Sequence, residues 1–300
     1  MKTIFTFFRS GLALLAVSCA LSCQKNNAPS APLGEIVFRS HPGFNVSVQT
    51  KATVVDQAAL VASGFNVSAT KGEEEEETAV WTNASFSMGE EYFQADESKW
   101  WPSTDPGYHF YASTFDLTHT AAGATISATN DSDVVCAYLP NPTYNDVNTL
   151  AFKHIFARIS DVTFSAVNGY TITDISVTIV PNTGGTYNLR TGSGQTDGTG
   201  WSNLTAAENP VVIADTSPGT KSNDLYLVPG SYTVTATWTA TKGDYTKTFT
   251  EKTCDLAIAG GAVNTITAQL TGDATEVTFA VTVTPWTDHE IDLGIYNYEN

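Results

Sequence analysis

The sequence predicts an all-β protein built from antiparallel sandwiches. Three observations carry this. Several stretches alternate apolar and polar residues with period two, the mark of half-buried strands. Turn signals rich in Gly, Pro, Asn and Asp separate them. Charged residues make up only 15% of the chain, and Thr, Ser, Asn and Gly fill the polar positions, a mix that suits β-structure outside the cytoplasm.

Taken in chain order, the first feature precedes the fold. Met1, Lys2 and Arg9 give a basic start, and residues 11–21 are apolar and small. A membrane-spanning helix needs about 20 apolar residues, so this run has the layout of a secretory signal peptide. It ends in Ala20-Leu21-Ser22-Cys23, followed at once by polar Gln24-Lys25-Asn26-Asn27. That junction resembles a bacterial lipobox, with Ala20 where Leu is usual. The Cys23 thiol would take a diacylglycerol and become the first mature residue. Ala16-Val17-Ser18-Cys19 is a competing box; Cys23 is preferred because the apolar run continues up to it. A plain signal peptide with incidental cysteines is the alternative. Lipid chains contribute about 0.8 kcal/mol per buried CH₂, so several would anchor the protein firmly. Residues 1–22 are thus read as the signal and 23–33 as a polar tether.

From residue 34 the pattern turns strand-like. The stretch FNVSVQTKATVV (44–55) offers two short extended pieces on either side of Lys51. Residues 56–63, DQAALVAS, form the one plausible helix, with Asp56 as its cap. Residues 139–146, LPNPTYND, carry two prolines and give the best domain boundary, which divides the fold into 34–146 and 147–300. After it, Ile175, Val177 and Ile179 alternate with polar neighbours. Residues 192–200, GSGQTDGTG, read as a flexible loop; without a following Lys-Ser/Thr they do not make a phosphate cradle. Residues 231–241, SYTVTATWTAT, are the clearest strand: Tyr232, Val234, Ala236, Trp238 and Ala240 face one way and threonines the other. Val277, Phe279, Val281 and Val283 repeat the pattern. Threonine suits the wet face because its branched Cβ packs well on a pleat.

Charge and motif content exclude several functions. The chain carries 14 Lys+Arg against 31 Asp+Glu, a net charge of −17. Removing residues 1–22 takes away two bases and no acid, leaving 12 against 31, or −19. Such a surface repels phosphates, so nucleic acid is not a partner. The five glutamates at 73–77 read as a solvated loop, and Asn130-Asp131-Ser132-Asp133 as a short acidic turn; neither has the spacing of a calcium loop. The five histidines show no paired ligand motif, and His154, inside LAFKHIFARI, reads as a hydrogen-bonded packing residue. No nucleophile elbow is present. No enzyme and no cofactor are therefore expected. Cys136 and Cys254 could pair outside the cytoplasm or stand as buried thiols. Trp238 and Trp286 fit core-facing or interface roles. Trp100 and Trp101, being adjacent, cannot share one face of a strand; an exposed member could stack on a sugar.

Three local motifs resemble the fimbrillin-like family of Bacteroidales, whose members build type V pili. They are Lys99-Trp100-Trp101-Pro102 with the following Tyr108-His109-Phe110-Tyr111-Ala112; the strand LAFKHIFARI (150–159); and Val281-Thr282-Val283-Thr284-Pro285-Trp286. The resemblance implies two transthyretin-like antiparallel β-sandwich domains in tandem. It also implies a pilin: a lipoprotein on the outer membrane, cut by a trypsin-like protease near its N-terminus, that loses its first strand and receives a strand from another pilin subunit. Shaft, tip and anchor roles in adhesion all remain open. The cut is expected at Lys51-Ala52, with Arg39-Ser40 as the second choice. The expected donor is the segment TDHEIDLGIYNYEN (287–300), with Ile291, Leu293 and Ile295 along one face; the same segment could instead end its own sheet. An alternative function is a glycan-binding lipoprotein of a polysaccharide-uptake system.

Overall fold

The structure is a computed structural model that describes residues 34–40, 55–73, 75–90, 92–131, 133–144, 146–165, 169–214, 225–270 and 277–285. In chain order the elements are β1 (Val37–Ser40), α1 (Gln57–Ser63), β2 (Phe65–Lys71), β3 (Thr78–Met88), β4 (Phe93–Ala95), β5 (Tyr108–Ser113), β6 (Thr118–Thr120), β7 (Gly123–Thr129), β8 (Val135–Pro140), β9 (Asn148–Leu150) and β10 (Lys153–His154). They continue with β11 (Ala157–Ser165), β12 (Thr171–Ile179), β13 (Asn182–Asn188), α2 (Leu189–Gly192), β14 (Trp201–Ala206), β15 (Val211–Ala214), β16 (Leu225–Leu227), β17 (Gly230–Lys242), β18 (Tyr245–Ile258), β19 (Ala262–Leu270) and β20 (Val277–Pro285). The fold is all-β, as the sequence predicts.

The strands form an eight-stranded sheet, β10-β8-β5-β2-β3-β4-β1-β9, and three four-stranded sheets, β16-β11-β19-β20, β15-β12-β17-β18 and β14-β13-β7-β6. Pairing is antiparallel except between β1 and β9 and between β11 and β19.

Two of the four-stranded sheets face each other across one core. Val177 and Ile179 of β12 and Val234, Ala236 and Trp238 of β17 meet Ile159 of β11 and Ile266 of β19 there. The period-two reading of residues 231–241 holds: Tyr232, Val234, Ala236, Trp238 and Ala240 are buried. The intervening threonines turn outward and pair across strands, as in the 3.1 Å contact of Thr239 with Thr248. Full burial of each large apolar side chain contributes about 1.5–3 kcal/mol, which is why this alternation fixes the register.

The eight-stranded sheet curls around an aromatic core. Phe38 on β1 lies 5.0 Å from Phe110 on β5 and 5.1 Å from Phe86 on β3, and Phe65 lies 4.9 Å from Phe152. Strands β1 and β5 are not neighbours in the sheet, so its two ends wrap toward each other. Helix α1 closes this core with Leu60. Its cap is the one expected: the Asp56 carboxylate accepts from Ala59 N at 2.5 Å. The helix stops at Gly64, whose φ is +70° and where a Cβ would lie 2.3 Å from Phe86 O, so only glycine fits.

A third core lies on the other face of the same sheet. Tyr111 and Cys136 pack there against Ile126, Phe156, Tyr187 and Leu189. Strand β13 pairs with β7, Tyr187 opposite Ile126. Strand pairing thus runs across residue 146 in both directions: β9 and β10 complete the first sheet, and β13 and β14 extend the β6-β7 pair. The GSGQTDGTG stretch begins inside α2 and folds back, Asn188 N donating to Gly200 O at 2.8 Å.

Candidate functional site

Residues 34–40, GEIVFRS, occupy a slot in the eight-stranded sheet. Its first part is antiparallel to the turn at 99–101: Trp101 N donates to Gly34 O and Ile36 N to Lys99 O, both at 2.8 Å, with Glu35 opposite Trp100. Val37 and Phe38 then pair antiparallel with Gln94 and Phe93 of β4. On the other edge Phe38, Arg39 and Ser40 pair parallel with Asn148, Thr149 and Leu150 of β9. The strand is held along both sides.

Its side chains are among the most buried in the protein. Ile36, Val37 and Phe38 have 2%, 0% and 0% of their surface exposed. At the rim the Trp100 ring lies over Gly34: a Cβ there would be 3.3 Å from Cε3, and Gly34 has φ +84°. Trp100 is itself 55% exposed, whereas Trp101 turns inward to meet Tyr108 and Tyr144 edge-on, each at 5.6 Å. The adjacent pair thus splits as the sequence requires. At the other end Arg39 Nη2 donates to the Tyr92 hydroxyl at 3.1 Å and its guanidinium stacks 4.9 Å above that ring.

One buried polar group holds a wall of the slot, and two others tie together segments elsewhere in the fold. The Asn148 side chain accepts from Thr143 N at 2.8 Å and donates to Thr143 O at 3.1 Å, which fixes the approach to β9. Asp133 contacts His154 Nδ1 at 2.9 Å and accepts from Val55 N at 2.8 Å. The main chain at Val55 is thus pinned to a buried carboxylate. His154 is the packing residue its apolar surroundings predict. Glu77 accepts from Thr70 Oγ1 at 2.6 Å and Tyr111 OH at 2.9 Å and pairs with Arg190 of α2.

These last two acids correct the sequence reading. Glu73, Glu75 and Glu76 are exposed, as a solvated loop requires, but Glu77 is 4% exposed and Asp133 2%. Their partners come from distant segments, so local charge density gives no signal of burial. Cys136 and Cys254 are both free thiols. Burial pushes the Cys136 thiol from 9.0 up to about 12, so it stays protonated and unreactive near neutral pH.

Of the site residues predicted from sequence, Cys23, Lys51, Ala52, Ile291, Leu293 and Ile295 lie outside the described residues. Arg39, the second-choice cleavage position, lies in β1 with its main chain paired. Among the described residues no group of three or more His, Cys, Asp or Glu is placed to hold a metal. What the arrangement does is hold an extended strand along both of its edges.

That is the architecture of an all-β protein with one short strand seated between two others, and the family follows from comparison. The chain belongs to the fimbrillin-like family, whose profile matches residues 50–286. Among solved structures it is similar to a fimbrial protein from Bacteroides vulgatus, with 14% identity, 85% of this chain and 100% of that one covered, and a TM-score of 0.54. It is also similar to a candidate cell adhesion protein from Parabacteroides distasonis, with 9% identity, 85% and 98% coverage and a TM-score of 0.50. At these identities the likeness is one of fold. No curated protein matches the chain in sequence.

Proposed function

We propose that this protein is a fimbrial subunit, delivered to the outer membrane by a lipid on Cys23, that polymerises when β1 is cut away and replaced by a strand of another subunit. The observation that carries this reading is the slot. A single short strand supplies the innermost apolar residues of one core and pairs on both edges, yet it joins the rest of the fold only through residues 41–54, where Lys51 stands. Removing it takes away Ile36, Val37 and Phe38, each worth about 1.5–3 kcal/mol of burial, uncovers the Phe86 and Phe110 rings that Phe38 packs on, and leaves unpaired edges on β4 and β9. Exposed edges and apolar surface together invite strand addition. Contacts made head to tail do not close, so they propagate into filaments.

Two features support Lys51-Ala52 over Arg39-Ser40 as the processing site. Arg39 is paired to β9 through its main chain, and a protease needs an extended, unpaired substrate. The family match also begins at residue 50, so the region shared with the family starts where β1 has already ended. A trypsin-like protease is the matching partner. The donor is the 287–300 segment, which offers Ile291, Leu293 and Ile295 on one face and Tyr296 and Tyr298 on the other.

The test is to treat purified precursor with trypsin and follow polymers by electron microscopy, sequencing the new N-terminus. Filaments built of subunits that begin at Ala52 are expected. Complete cleavage at Lys51 without polymers would sink the proposal, as would filaments of subunits that still begin at Cys23.

A further inference from the structure

The slot restricts what can replace β1. At its rim the backbone takes φ +84° directly beneath the Trp100 ring. A side chain there is disfavoured by the left-handed conformation and would press on the indole. Two residues on, Ile36 enters the aromatic core, and two further on Phe38 fills its centre. A strand that enters in the same direction must therefore read Gly, any residue, apolar, a residue that can be buried opposite Gln94, aromatic.

The chain carries this pattern again. Residues 33–40 are LGEIVFRS and residues 293–300 are LGIYNYEN. With Gly294 placed on Gly34, Leu293 falls on Leu33, Tyr296 on Ile36 and Tyr298 on Phe38. The other face matches as well. Asn297 falls on Val37, whose cross-strand neighbour is Gln94, an amide that can both give and accept a hydrogen bond. Glu299 falls on Arg39, beside the Tyr92 hydroxyl; that oxygen accepts from Arg39 now and could donate to a carboxylate instead. Gly294 is the one glycine between residues 287 and 300, so the segment can meet the rim in one register only.

We infer that residues 293–300 of a second copy of this chain enter the vacated slot in the direction of β1, with Gly294 under Trp100. This rests on the strand-exchange reading above and adds its register and orientation. It turns Tyr296 and Tyr298 toward the core and the Ile291, Leu293 and Ile295 face away from it.

The experiment uses protease-activated full chain and measures polymer growth by light scattering, with circular dichroism melting to confirm that each variant is folded. Gly294→Val should slow growth at least tenfold. Tyr298→Phe, which copies Phe38 more closely, should grow at least as fast as the parent. Mixed Gln94→Cys and Asn297→Cys subunits should cross-link between molecules on mild oxidation, whereas Gln94→Cys with Tyr298→Cys should not. Parental growth by Gly294→Val, or cross-linking through position 298 in place of 297, would overturn the register while leaving strand exchange intact. Undiminished polymerisation after deletion of residues 288–300 would overturn strand exchange by this segment altogether.

Discussion

At the scale of single residues, Glu77 ties three distant segments together. Thr70 and Tyr111 donate to it from β2 and β5, and Arg190 reaches it from α2. Arg190 Nε also donates to the Tyr111 hydroxyl at 3.2 Å, so the carboxylate, phenol and guanidinium form one closed network. Breaking a buried pair from one side strands the other charge, at a cost of about 3–5 kcal/mol. Glu77→Ala should therefore lower the free energy of unfolding by an amount of that order, read from urea denaturation. Glu77→Gln combined with Arg190→Met, which removes both charges, should lose much less. Equal losses in the two variants would mean that the pair contributes little. None of this was legible in the sequence. Glu77 is the last of five identical residues, and its burial is decided by an arginine more than a hundred positions away. Trp238 is the opposite case: its place in an alternating run already told which way it faces.

At the scale of elements, long regular strands and the capped helix were legible because their signals are local. Strand β17 repeats apolar and threonine residues over its whole length, and Asp56 marks the start of α1 three residues before the amide it caps. The strand β3 shows why other elements are harder. Asn83 within it takes φ +46°, and its side chain pairs with the main chain of Leu117, accepting at 2.7 Å and donating at 2.8 Å. A side chain there does the work of a neighbouring strand, and no periodicity announces it. Strand β1 is harder still. It has four residues, too few for a pattern, and its importance comes from what surrounds it. Phe38 gives a direct measure of that importance. Truncating a buried Phe to Ala costs about 3–5 kcal/mol. Much of this should fall on β1 itself, since Phe38 is its deepest anchor. Under limited trypsin digestion the parent should be cut first at Lys51, while Phe38→Ala should also be cut at Arg39, as read by N-terminal sequencing. Unchanged resistance of Arg39 in the variant would show that Phe38 does not hold the strand in place.

At the scale of the whole molecule, three cores share walls. The eight-stranded sheet buries Phe38, Phe86 and Phe110 on one face and Tyr111 and Cys136 on the other. The second face is covered by β7 together with β13 and by the α2 turn, so residues from both halves of the chain build it. A fragment of residues 34–154 would leave Tyr111, Ile126 and Cys136 without Tyr187 and Leu189. It should show strand content but lack the sharp near-ultraviolet dichroism and dispersed amide spectrum of packed aromatic side chains. A fragment with native-like spectra would mean that the third core is not needed for the first sheet to form. The proline-rich stretch at 139–146 pointed to a division of the chain because composition shows where a loop lies; it does not show which strands pair across it.

The seating of β1 has a mechanical consequence. Its hydrogen bonds run to β4 and the 99–101 turn on one side, roughly perpendicular to the strand, and to the parallel β9 on the other, more slanted. A pull along the strand axis stretches these bonds together, in shear. A pull across the strand would open them one after another, like a zipper. A filament whose joints were strands seated in this way, and loaded along their length, would carry tension in the geometry that resists it best.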